Sequence, residues 1–399
     1  MYTIDTMPVH YTYCPDFDPQ GYPDIHALTY DGMSIGSKKT KVFAYMGFPK
    51  NTEGSVPGVV LVHGGGGHAY AEWVARWNAQ GFAAIAMDTT GYYPDPEAEK
   101  GVRYGLYGTF ADEDYVNAPD NDGSMIEGVD TDIEKNWLYH AIADAILARK
   151  ILASQHVVDA SKIGICGISW GGVITSLVIG HDPNFAFAVP IYGSGYLGSE
   201  HTLGSIARHF EAESVRSRFL AENRFQNVTM PVLWLCWNDD NNFSIQANTR
   251  SYLDTCSGNS ETRLSIVHNM HHSHPHGWAR PESITFAKSI ISGAPPLPKL
   301  LNQPIGRKCT VDIDYTGHFT AAAYYITSPM TYSVHSKFGG NAYSYMDQTW
   351  NIIQCQIDPA TQRVTCELPP EAAGYYLEIK TLINGEEFVV TSGYVTIEA

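Results

Sequence analysis

Ser169 lies in the stretch whose residue types and spacing point most directly to chemistry, KIGICGISWGGVITSLV at residues 162–178. An apolar run leads into Gly167-x-Ser169-x-Gly171, and a second apolar run follows at once. A nucleophilic serine on a sharp turn from strand to helix needs small neighbours, because its backbone is strained and the helix packs closely against the strand. The pattern alone is weak in a chain with 36 glycines, but its context predicts that Ser169 is a nucleophile.

Four consecutive glycines follow His63 in VVLVHGGGGHAY. Residues without side chains let backbone N–H groups approach the oxygen that becomes negative when an acyl carbon turns tetrahedral. A flexible turn is the alternative interpretation, but four glycines exceed what a turn needs. We therefore predict an oxyanion loop that includes Gly65 and Gly66, with the backbone N–H of Trp170 as a further donor.

An acid and a base should follow the serine along the chain if the order is serine, acid, histidine. The apolar run PVLWLCW enters NDDNNFS, which puts Asp239 and Asp240 just after a predicted strand. The run RLSIV enters a loop with five histidines, namely His268, His271, His272, His274 and His276. Histidine clusters also bind zinc, but this loop lacks the HExxH spacing of a helical zinc site. We predict no metal and no cofactor.

The elements that must position these residues alternate between strands and helices. Short, nearly continuous apolar runs suit strands buried on both faces of a parallel sheet, as in PGVVLVH, FAAIAMD, KIGICG, FAFAVPIY, PVLWLCW and RLSIV. Helical patterns lie between them, one opening with a capping box at Thr131 and Glu134 and another running from Pro281 to Gly293. The pattern predicts an α/β fold with a doubly wound, mostly parallel sheet.

After residue 293 the pattern changes to a proline-rich linker and then to short strands separated by turn signals. We predict a catalytic domain over residues 1–295 and a small immunoglobulin-like β-sandwich over residues 303–399. Long insertions at residues 92–130 and 193–230 are candidate lids over the site, or structural padding. The sequence leaves open whether the sandwich binds carbohydrate through tyrosines and Trp350, packs against the catalytic domain, or forms a homodimer.

Composition excludes several classes of function. The formal net charge of −17 argues against a nucleic-acid partner and favours a neutral substrate. No run of about 18 apolar residues spans a membrane, and the N-terminus lacks a secretory signal, so we expect a cytoplasmic protein with no membrane partner. Seven cysteines are too sparse for a disulfide framework, although Cys355 and Cys366 flank a turn and could face each other.

Several stretches together resemble α/β-hydrolases of the group related to dienelactone hydrolases and acetyl xylan esterases. The resemblance covers roughly residues 40–295 and is carried by GVVLVHGGGGHAYAEWVARWNAQGFAAIAMDTTGY, DASKIGICGISWGG, FAFAVPIYGSGYL and HSHPHGWARPESITFAKSII. It implies an α/β-hydrolase fold and a catalytic triad of serine, histidine and aspartate.

The resemblance also bears on which acid and which histidine act. The acid of such enzymes often lies in Gly-x-x-Asp-x-x-(Val/Phe)-Pro, and alignment on Phe243 selects Asp240. Trp237 and Ser244 replace the glycine and the proline here, so Asp239 stays an alternative. A His-x-His-x-x-Gly-Trp pattern leaves His272 and His274, of which we select His272, nearer the strand end.

The expected activity is therefore hydrolysis of carboxylic esters through an acyl-enzyme, with short-chain or acetyl esters such as acetylated carbohydrates as substrates. Two alternatives come from other classes. A serine peptidase of the prolyl oligopeptidase type uses the same triad, although the segment before the first hydrolase strands is too short for a propeller. A catalytically inactive binding protein on the same fold is the second alternative.

Overall fold

The structure is a computed structural model that describes residues 4, 6–50, 53–99, 101–105, 115–117, 129–198, 206, 208–240, 242–330, 332–335, 342–345 and 348–397. It divides into two compact units. The first unit consists of Met1–Pro190 with Ala212–Phe219, and the second of Ile191–Glu211 with Leu220–Ala399. The predicted boundary between residues 295 and 303 falls inside the second unit, so a separately folded C-terminal domain stays a prediction.

The first unit is built on a mixed sheet with the strand order β1-β2-β3-β5-β4-β8-β9. Strand β4 pairs in parallel with β5 and β8, whereas β1, β2 and β3 pair antiparallel. A short hairpin of β6 and β7 stands apart from this sheet. The strands are β1 (Tyr11–Tyr13), β2 (Ile25–Ile35), β3 (Lys38–Gly47), β4 (Val56–Val62), β5 (Ala83–Met87), β6 (Tyr92–Pro94), β7 (Val102–Tyr104), β8 (Val158–Ile168) and β9 (Ala188–Ile191).

Helices of the first unit include α1 (Ala71–Asn78), α2 (Trp137–Ala153), α3 (Trp170–Val178) and α4 (Glu213–Phe219), with 3-10 turns at Pro15–Phe17 and Ile133–Lys135. Helix α2 begins later than its predicted capping box. The side chain of Asn136 accepts from the backbone N–H of Tyr139, and Asp132 caps the preceding 3-10 turn. The capping box at Thr131 and Glu134 was therefore a wrong prediction, because the chain turns once before the helix begins.

The core of the first unit follows from the apolar runs. Residues 59–62 of β4 and 83–87 of β5 are buried, as expected for parallel strands covered on both faces. Helix α2 is apolar nearly all round and is buried along most of its length. The parallel strands β4 and β8 end at the same edge of the sheet. The glycine loop follows β4 at this edge, and Ser169 follows β8.

The second unit begins at Ile191, the last residue of β9, which pairs with Leu235. Strands β10 (Leu233–Trp237) and β11 (Arg263–Val267) pair in parallel. The helices described here are α5 (Ile245–Gly258), α6 (His274–Trp278) and α7 (Pro281–Ser292), with 3-10 turns at Arg208–Phe210 and Ala221–Asn227. Helix α7 has the predicted bounds, since Pro281 opens it and Gly293 closes it at φ +67°.

We call residues 299–397 the β region. Its strands pair antiparallel in sheets ordered β12-β13-β19-β18 and β17-β14-β20-β21, with β22 beside β20 and a hairpin of β15 and β16. The strands are β12 (Lys299–Leu300), β13 (Lys308–Asp314), β14 (Phe319–Ile326), β15 (Tyr332–His335), β16 (Ala342–Tyr345), β17 (Asn351–Gln354), β18 (Gln356–Asp358), β19 (Arg363–Glu367), β20 (Gly374–Ile383), β21 (Glu386–Thr391) and β22 (Val395–Thr396). The predicted all-β C-terminal region is confirmed.

Within the second unit the β region packs on β11 and α7. The Ser265 hydroxyl donates to the Val389 carbonyl at 2.6 Å, and the backbone N–H of Ile266 donates to the Thr391 hydroxyl at 3.1 Å. The buried carboxylate of Glu282 accepts from the backbone N–H of Val389 at 2.9 Å. These bonds join the β region to the elements that carry the histidine loop.

The cysteines are free thiols, and Cys355 and Cys366 hydrogen-bond through their side chains. Among the described residues, no helix is long and apolar enough to cross a bilayer.

Candidate active site

Ser169 occupies a strained turn between β8 and α3, with φ 58° and ψ −117°. A Cβ at Gly167 would lie 2.0 Å from the Gly171 carbonyl oxygen, and a Cβ at Gly171 would lie 2.0 Å from the Val62 carbonyl oxygen. Only glycine fits at either position, because no flexible side chain can move to relieve these contacts. The sequence pattern therefore corresponds to a strand–turn–helix junction at which the serine adopts a conformation that L-residues rarely populate.

The glycine loop after β4 lies against the residue that follows Ser169. Gly66 has φ +68°, and the N–H of Gly67 donates to the Gly64 carbonyl at 3.0 Å. A Cβ at Gly65 would lie 2.7 Å from Cδ1 of Trp170, so the indole packs directly on the glycine backbone. The three predicted donors of the oxyanion loop, on Gly65, Gly66 and Trp170, thus belong to one local structure in the first unit.

His63 holds this loop through hydrogen bonds of its imidazole, a role that the sequence did not predict. Its Nε2 accepts from the backbone N–H of Thr89 at 3.0 Å, so the proton of the neutral ring sits on Nδ1. Nδ1 lies 2.8 Å from the Gly64 carbonyl and donates to it. Because the imidazole is buried, these bonds hold the first glycine of the loop in one orientation.

The Trp170 indole also packs edge-on against Trp137, with ring centroids 5.5 Å apart and an interplanar angle of 89°. Trp137 is buried, and its Nε1 donates to the Thr89 carbonyl at 2.6 Å. Thr89 therefore binds both His63 and Trp137, which makes it a common support for the glycine loop and the Trp170 ring.

Asp240 in the second unit is fully buried and accepts three hydrogen bonds. Its Oδ1 accepts from the backbone N–H groups of Asn242 at 2.8 Å and Phe243 at 3.1 Å. Its Oδ2 lies 2.7 Å from Nδ1 of His272. Because the carboxylate accepts, Nδ1 carries the proton and Nε2 is the basic nitrogen, which is the tautomer a general base requires.

The alternative residues for the acid and the base have other partners. Asp239 accepts from Nδ2 of Asn238 and from Nε1 of Trp350, each at 2.8 Å. His274 opens α6, and its ring lies 6.1 Å from that of Trp278. The structure thus brings Asp240 and His272 together and directs Asp239 toward the β region.

Aromatic rings fix the plane of the His272 imidazole. Tyr192 stacks on it with centroids 4.5 Å apart, and Phe243 lies nearly parallel to it at 6.0 Å. The Tyr192 hydroxyl donates to the His271 carbonyl at 2.6 Å, and burial raises the pKa of this phenol. Tyr192, Asn269 and His271 have φ values of 53°, 56° and 62°, so strained backbone lies on the residues that contact or directly precede His272.

The other histidines of the loop have local contacts. His268 packs against Tyr324 at 5.2 Å, and burial lowers the pKa of its imidazole. Nδ1 of His276 lies 2.7 Å from the Ser273 hydroxyl, and the His276 ring lies 5.4 Å from that of His271. In the part of the chain that the structure describes, no group of three or more histidines, cysteines and carboxylates is arranged to hold a metal ion.

The two insertions are only partly described. In the first, β6 and β7 form a hairpin, while residues 106–114 and 118–128 lie outside the described residues. In the second, the helical pattern corresponds to α4 and the flanking 3-10 turns, and residues 199–205 lie outside them. A lid function for either insertion stays a prediction.

Comparison with known proteins agrees with this local structure. Residues 10–198 match the model of the acetyl xylan esterase (AXE1) family, a range that includes the glycine loop and Ser169. No curated protein matches the chain significantly.

Two solved structures resemble the chain in fold. The acetyl xylan esterase from Paenibacillus sp. R4 superimposes with a TM-score of 0.52 at 20% identity, over 73% of this chain and 92% of that one. Acetyl xylan esterase 1 from Thermoanaerobacterium sp. JW/SL YS485 gives a TM-score of 0.50 at 15% identity over the same shares. The predicted α/β-hydrolase fold and the predicted resemblance to acetyl xylan esterases are confirmed, and with them the expectation of an esterase.

Proposed function

We propose that this chain, an esterase with the α/β-hydrolase fold, cleaves short-chain carboxylic esters through a triad of Ser169, His272 and Asp240. The observation that carries the proposal is the strained Ser169 junction, where two glycines leave no room for a Cβ. A backbone strained in this way exposes the serine hydroxyl at the end of a strand, and such strain is retained where function requires it. The hydrogen-bonded pair of Asp240 and His272 supplies the matching base.

In the first half-reaction, Nε2 of His272 takes the proton of the Ser169 hydroxyl as Oγ attacks the ester carbonyl carbon. The carbonyl oxygen becomes negative and accepts from backbone N–H groups of Gly65, Gly66 and Trp170. The bond to the alcohol oxygen then breaks, and the imidazolium returns the proton to the leaving alkoxide. The products of this step are a free alcohol and an acyl group on Ser169.

In the second half-reaction, water replaces the alcohol. Nε2 of His272 takes a proton from the water as its oxygen attacks the acyl carbon, and a second tetrahedral oxyanion forms in the same loop. Collapse of this intermediate releases the carboxylic acid and returns the proton to Ser169. No atom or electron outside ester and water is consumed.

Asp240 acts through the imidazole. It keeps the proton of neutral His272 on Nδ1, and its negative charge stabilises the imidazolium formed in each half-reaction. The backbone donors from Asn242 and Phe243 hold the carboxylate still, so that it needs no reorientation during the reaction. The stacked ring of Tyr192 adds a steric limit to rotation of the imidazole.

For the substrate we propose acetyl esters of neutral carbohydrates. The match to the acetyl xylan esterase family supports an acetyl group and a sugar alcohol. The formal net charge of −17 supports a neutral rather than an anionic partner. The Trp170 indole, packed on Gly65, narrows the space beside the glycine loop and favours a small acyl group.

The test is hydrolysis of p-nitrophenyl acetate, butyrate and octanoate, and release of acetate from acetylated xylo-oligosaccharides, by the wild type and Ser169→Ala. We expect turnover that declines with acyl length, survives EDTA and disappears in Ser169→Ala. Ser161→Ala, at an exposed serine of the same strand β8, is the matched control and should keep full activity.

Three results would contradict the proposal: activity that persists in Ser169→Ala, activity that EDTA removes, or turnover of peptide amides that exceeds turnover of esters. The last result would favour the peptidase alternative. A wild-type protein without any turnover would favour the inactive binding protein.

A further inference from the structure

We propose that the β region takes part in catalysis, with Trp350 as a positioning residue that holds the acid loop through its hydrogen bond to Asp239. The inference rests on the proposed function, because it explains how the pair of Asp240 and His272 is kept in a productive arrangement. It assigns the β region a role inside the reaction rather than in carbohydrate capture.

The bond lies between a fixed donor and the immediate neighbour of the catalytic acid. Nε1 of Trp350 donates to Oδ1 of Asp239 at 2.8 Å. The Trp350 ring is itself held edge-on by Tyr376, at 5.2 Å, and by Tyr394, at 6.4 Å. Tyr376 is buried and stacks at an angle of 4° on Tyr324. An aromatic cluster of the β region therefore sets where the Asp239 carboxylate lies.

The same bond is the first step of a path that reaches the histidine loop. The second oxygen of Asp239 accepts from Nδ2 of Asn238 at 2.8 Å. Oδ1 of Asn238, a buried residue, accepts from the backbone N–H of Asn269 at 3.3 Å. Asn269 has φ 56° and lies three residues before His272. Trp350 thus connects, through Asp239 and Asn238, to both loops that carry the pair of Asp240 and His272.

The negative charges of Asp239 and Asp240 explain why Asp239 needs the hydrogen bond from Trp350. Asp239 and Asp240 are consecutive carboxylates, and two like charges close together disfavour each other. The Trp350 N–H offsets the charge of Asp239 and fixes its direction. Without this donor, Asp239 would keep the bond from Asn238 but lose its link to the β region, and fewer molecules would hold the productive pair.

A carbohydrate platform is the competing role for Trp350, and kinetics distinguish the two roles. A platform residue binds the distant parts of a polymeric substrate, so its loss raises KM for acetylated xylan and leaves p-nitrophenyl acetate unchanged. A positioning residue affects the chemical steps for every ester, so its loss lowers kcat for both substrates with little change in KM.

The experiment compares Trp350→Phe, Asp239→Ala, Asp239→Asn and the double variant Trp350→Phe with Asp239→Ala. We expect Trp350→Phe and Asp239→Ala each to lower kcat about tenfold, the size of one lost hydrogen bond to a charged group. Asp239→Asn keeps an acceptor for the indole N–H and should retain most of the activity. The double variant should be no worse than either single variant, because both remove the same bond.

Tyr375→Phe is the matched control. It removes the hydrogen bond that the Tyr375 hydroxyl donates to the Gly306 carbonyl, in the same strand as Tyr376 and away from Asp239. Its kcat should equal that of the wild type. The His272 Nδ1 proton that is hydrogen-bonded to Asp240 should give a far-downfield proton NMR signal, and this signal is a second measurement that does not need turnover. This signal should persist in Ser169→Ala and weaken in Trp350→Phe.

The outcomes separate this inference from the proposed function. If Ser169→Ala abolishes activity while Trp350→Phe and Asp239→Ala keep the wild-type kcat, the positioning role is overturned and the esterase stands. If Asp239→Asn abolishes activity, Asp239 itself is the catalytic acid and the inference is wrong. If Trp350→Phe raises KM only for acetylated xylan, the β region is a carbohydrate platform. If the wild type has no esterase activity, the proposed function fails.

Discussion

The buried Asp240 carboxylate is hydrogen-bonded at 2.7 Å to the partly exposed His272 imidazole, while Asp239, the preceding residue, accepts from Trp350. Two adjacent carboxylates of one loop thus bind different partners. The backbone N–H groups of Asn242 and Phe243 hold the Asp240 carboxylate toward His272.

Asp240→Asn should lower kcat by on the order of 10³- to 10⁴-fold, because an amide no longer fixes the tautomer of His272 or stabilises its imidazolium. KM should change little, since Asp240 is buried and does not touch the ester. Steady-state kinetics on p-nitrophenyl acetate checks this. Asp314→Asn, at an exposed aspartate of the β region, is the control and should match the wild type.

Gly65→Ala should lower kcat by about tenfold to a few hundredfold, because the new Cβ meets Cδ1 of Trp170 and displaces the loop that we propose donates to the oxyanion. The loss should be smaller when Trp170→Ala is combined with Gly65→Ala, since the clash then disappears. Equal losses in both backgrounds would show that the indole does not constrain the loop. The measurement is kcat on p-nitrophenyl acetate for Gly65→Ala, for Trp170→Ala and for the double variant.

Asp144→Asn should reduce the pH dependence of stability. Asp144 is buried in α2, and burial, followed by the charge of Asp88, raises the pKa of its carboxyl well above the usual value. A carboxyl with a raised folded-state pKa favours folding fully below its unfolded-state pKa, and this contribution is lost as pH rises through the folded-state pKa. Asp144 should therefore stabilise the fold less and less as pH rises above about 4, and Asp144→Asn should lose less stability than the wild type over the same pH range.

Denaturant unfolding at several pH values measures this difference. Asp159→Asn is the control, since its half-buried carboxyl has a pKa lowered by hydrogen bonds from Ser161 and should leave the slope above about pH 5 unchanged. A variant at Asp144 with the wild-type slope would contradict the assignment.

Glu282→Ala should lower the free energy of unfolding by about 3 kcal/mol, because it leaves the buried Val389 N–H without an acceptor and removes the ionic partner of Arg280. Glu371→Ala, at an exposed position of the β region, should change it by less than about 0.5 kcal/mol. Urea unfolding of both variants checks the difference. Equal stabilities would mean that Glu282 contributes nothing to the packing of α7 on the β region.

The parts of the site that the sequence predicted are those set by local structure. The strand–turn–helix junction at Ser169 was predictable because its glycines and the flanking apolar runs are contiguous, and the alternation of strands and helices follows from the same runs. The residues alone did not distinguish Asp239 from Asp240, and only the family resemblance selected Asp240. The direction of Asp240 depends on the backbone N–H groups of Asn242 and Phe243. The direction of Asp239 depends on Trp350, 111 residues away along the chain. Residue spacing did not distinguish His272 from His274 either. The ring that faces the acid depends on the backbone conformation before it, where Asn269 and His271 have positive φ values. His63 was missed because its partner Thr89 lies on another strand end.

The packing of β21 against β11, through hydrogen bonds of Ser265 and Thr391, also bears on association between molecules. Strand β11 carries the histidine loop, and a parallel strand with an uncovered edge is a template for pairing with other chains. Here the N–H of Ile266 is bonded to the Thr391 hydroxyl, and β21 lies along β11. A chain that ends at residue 295 would lose this cover and present the strand edge to its neighbours. We therefore expect the β region also to limit edge-to-edge aggregation of the molecule.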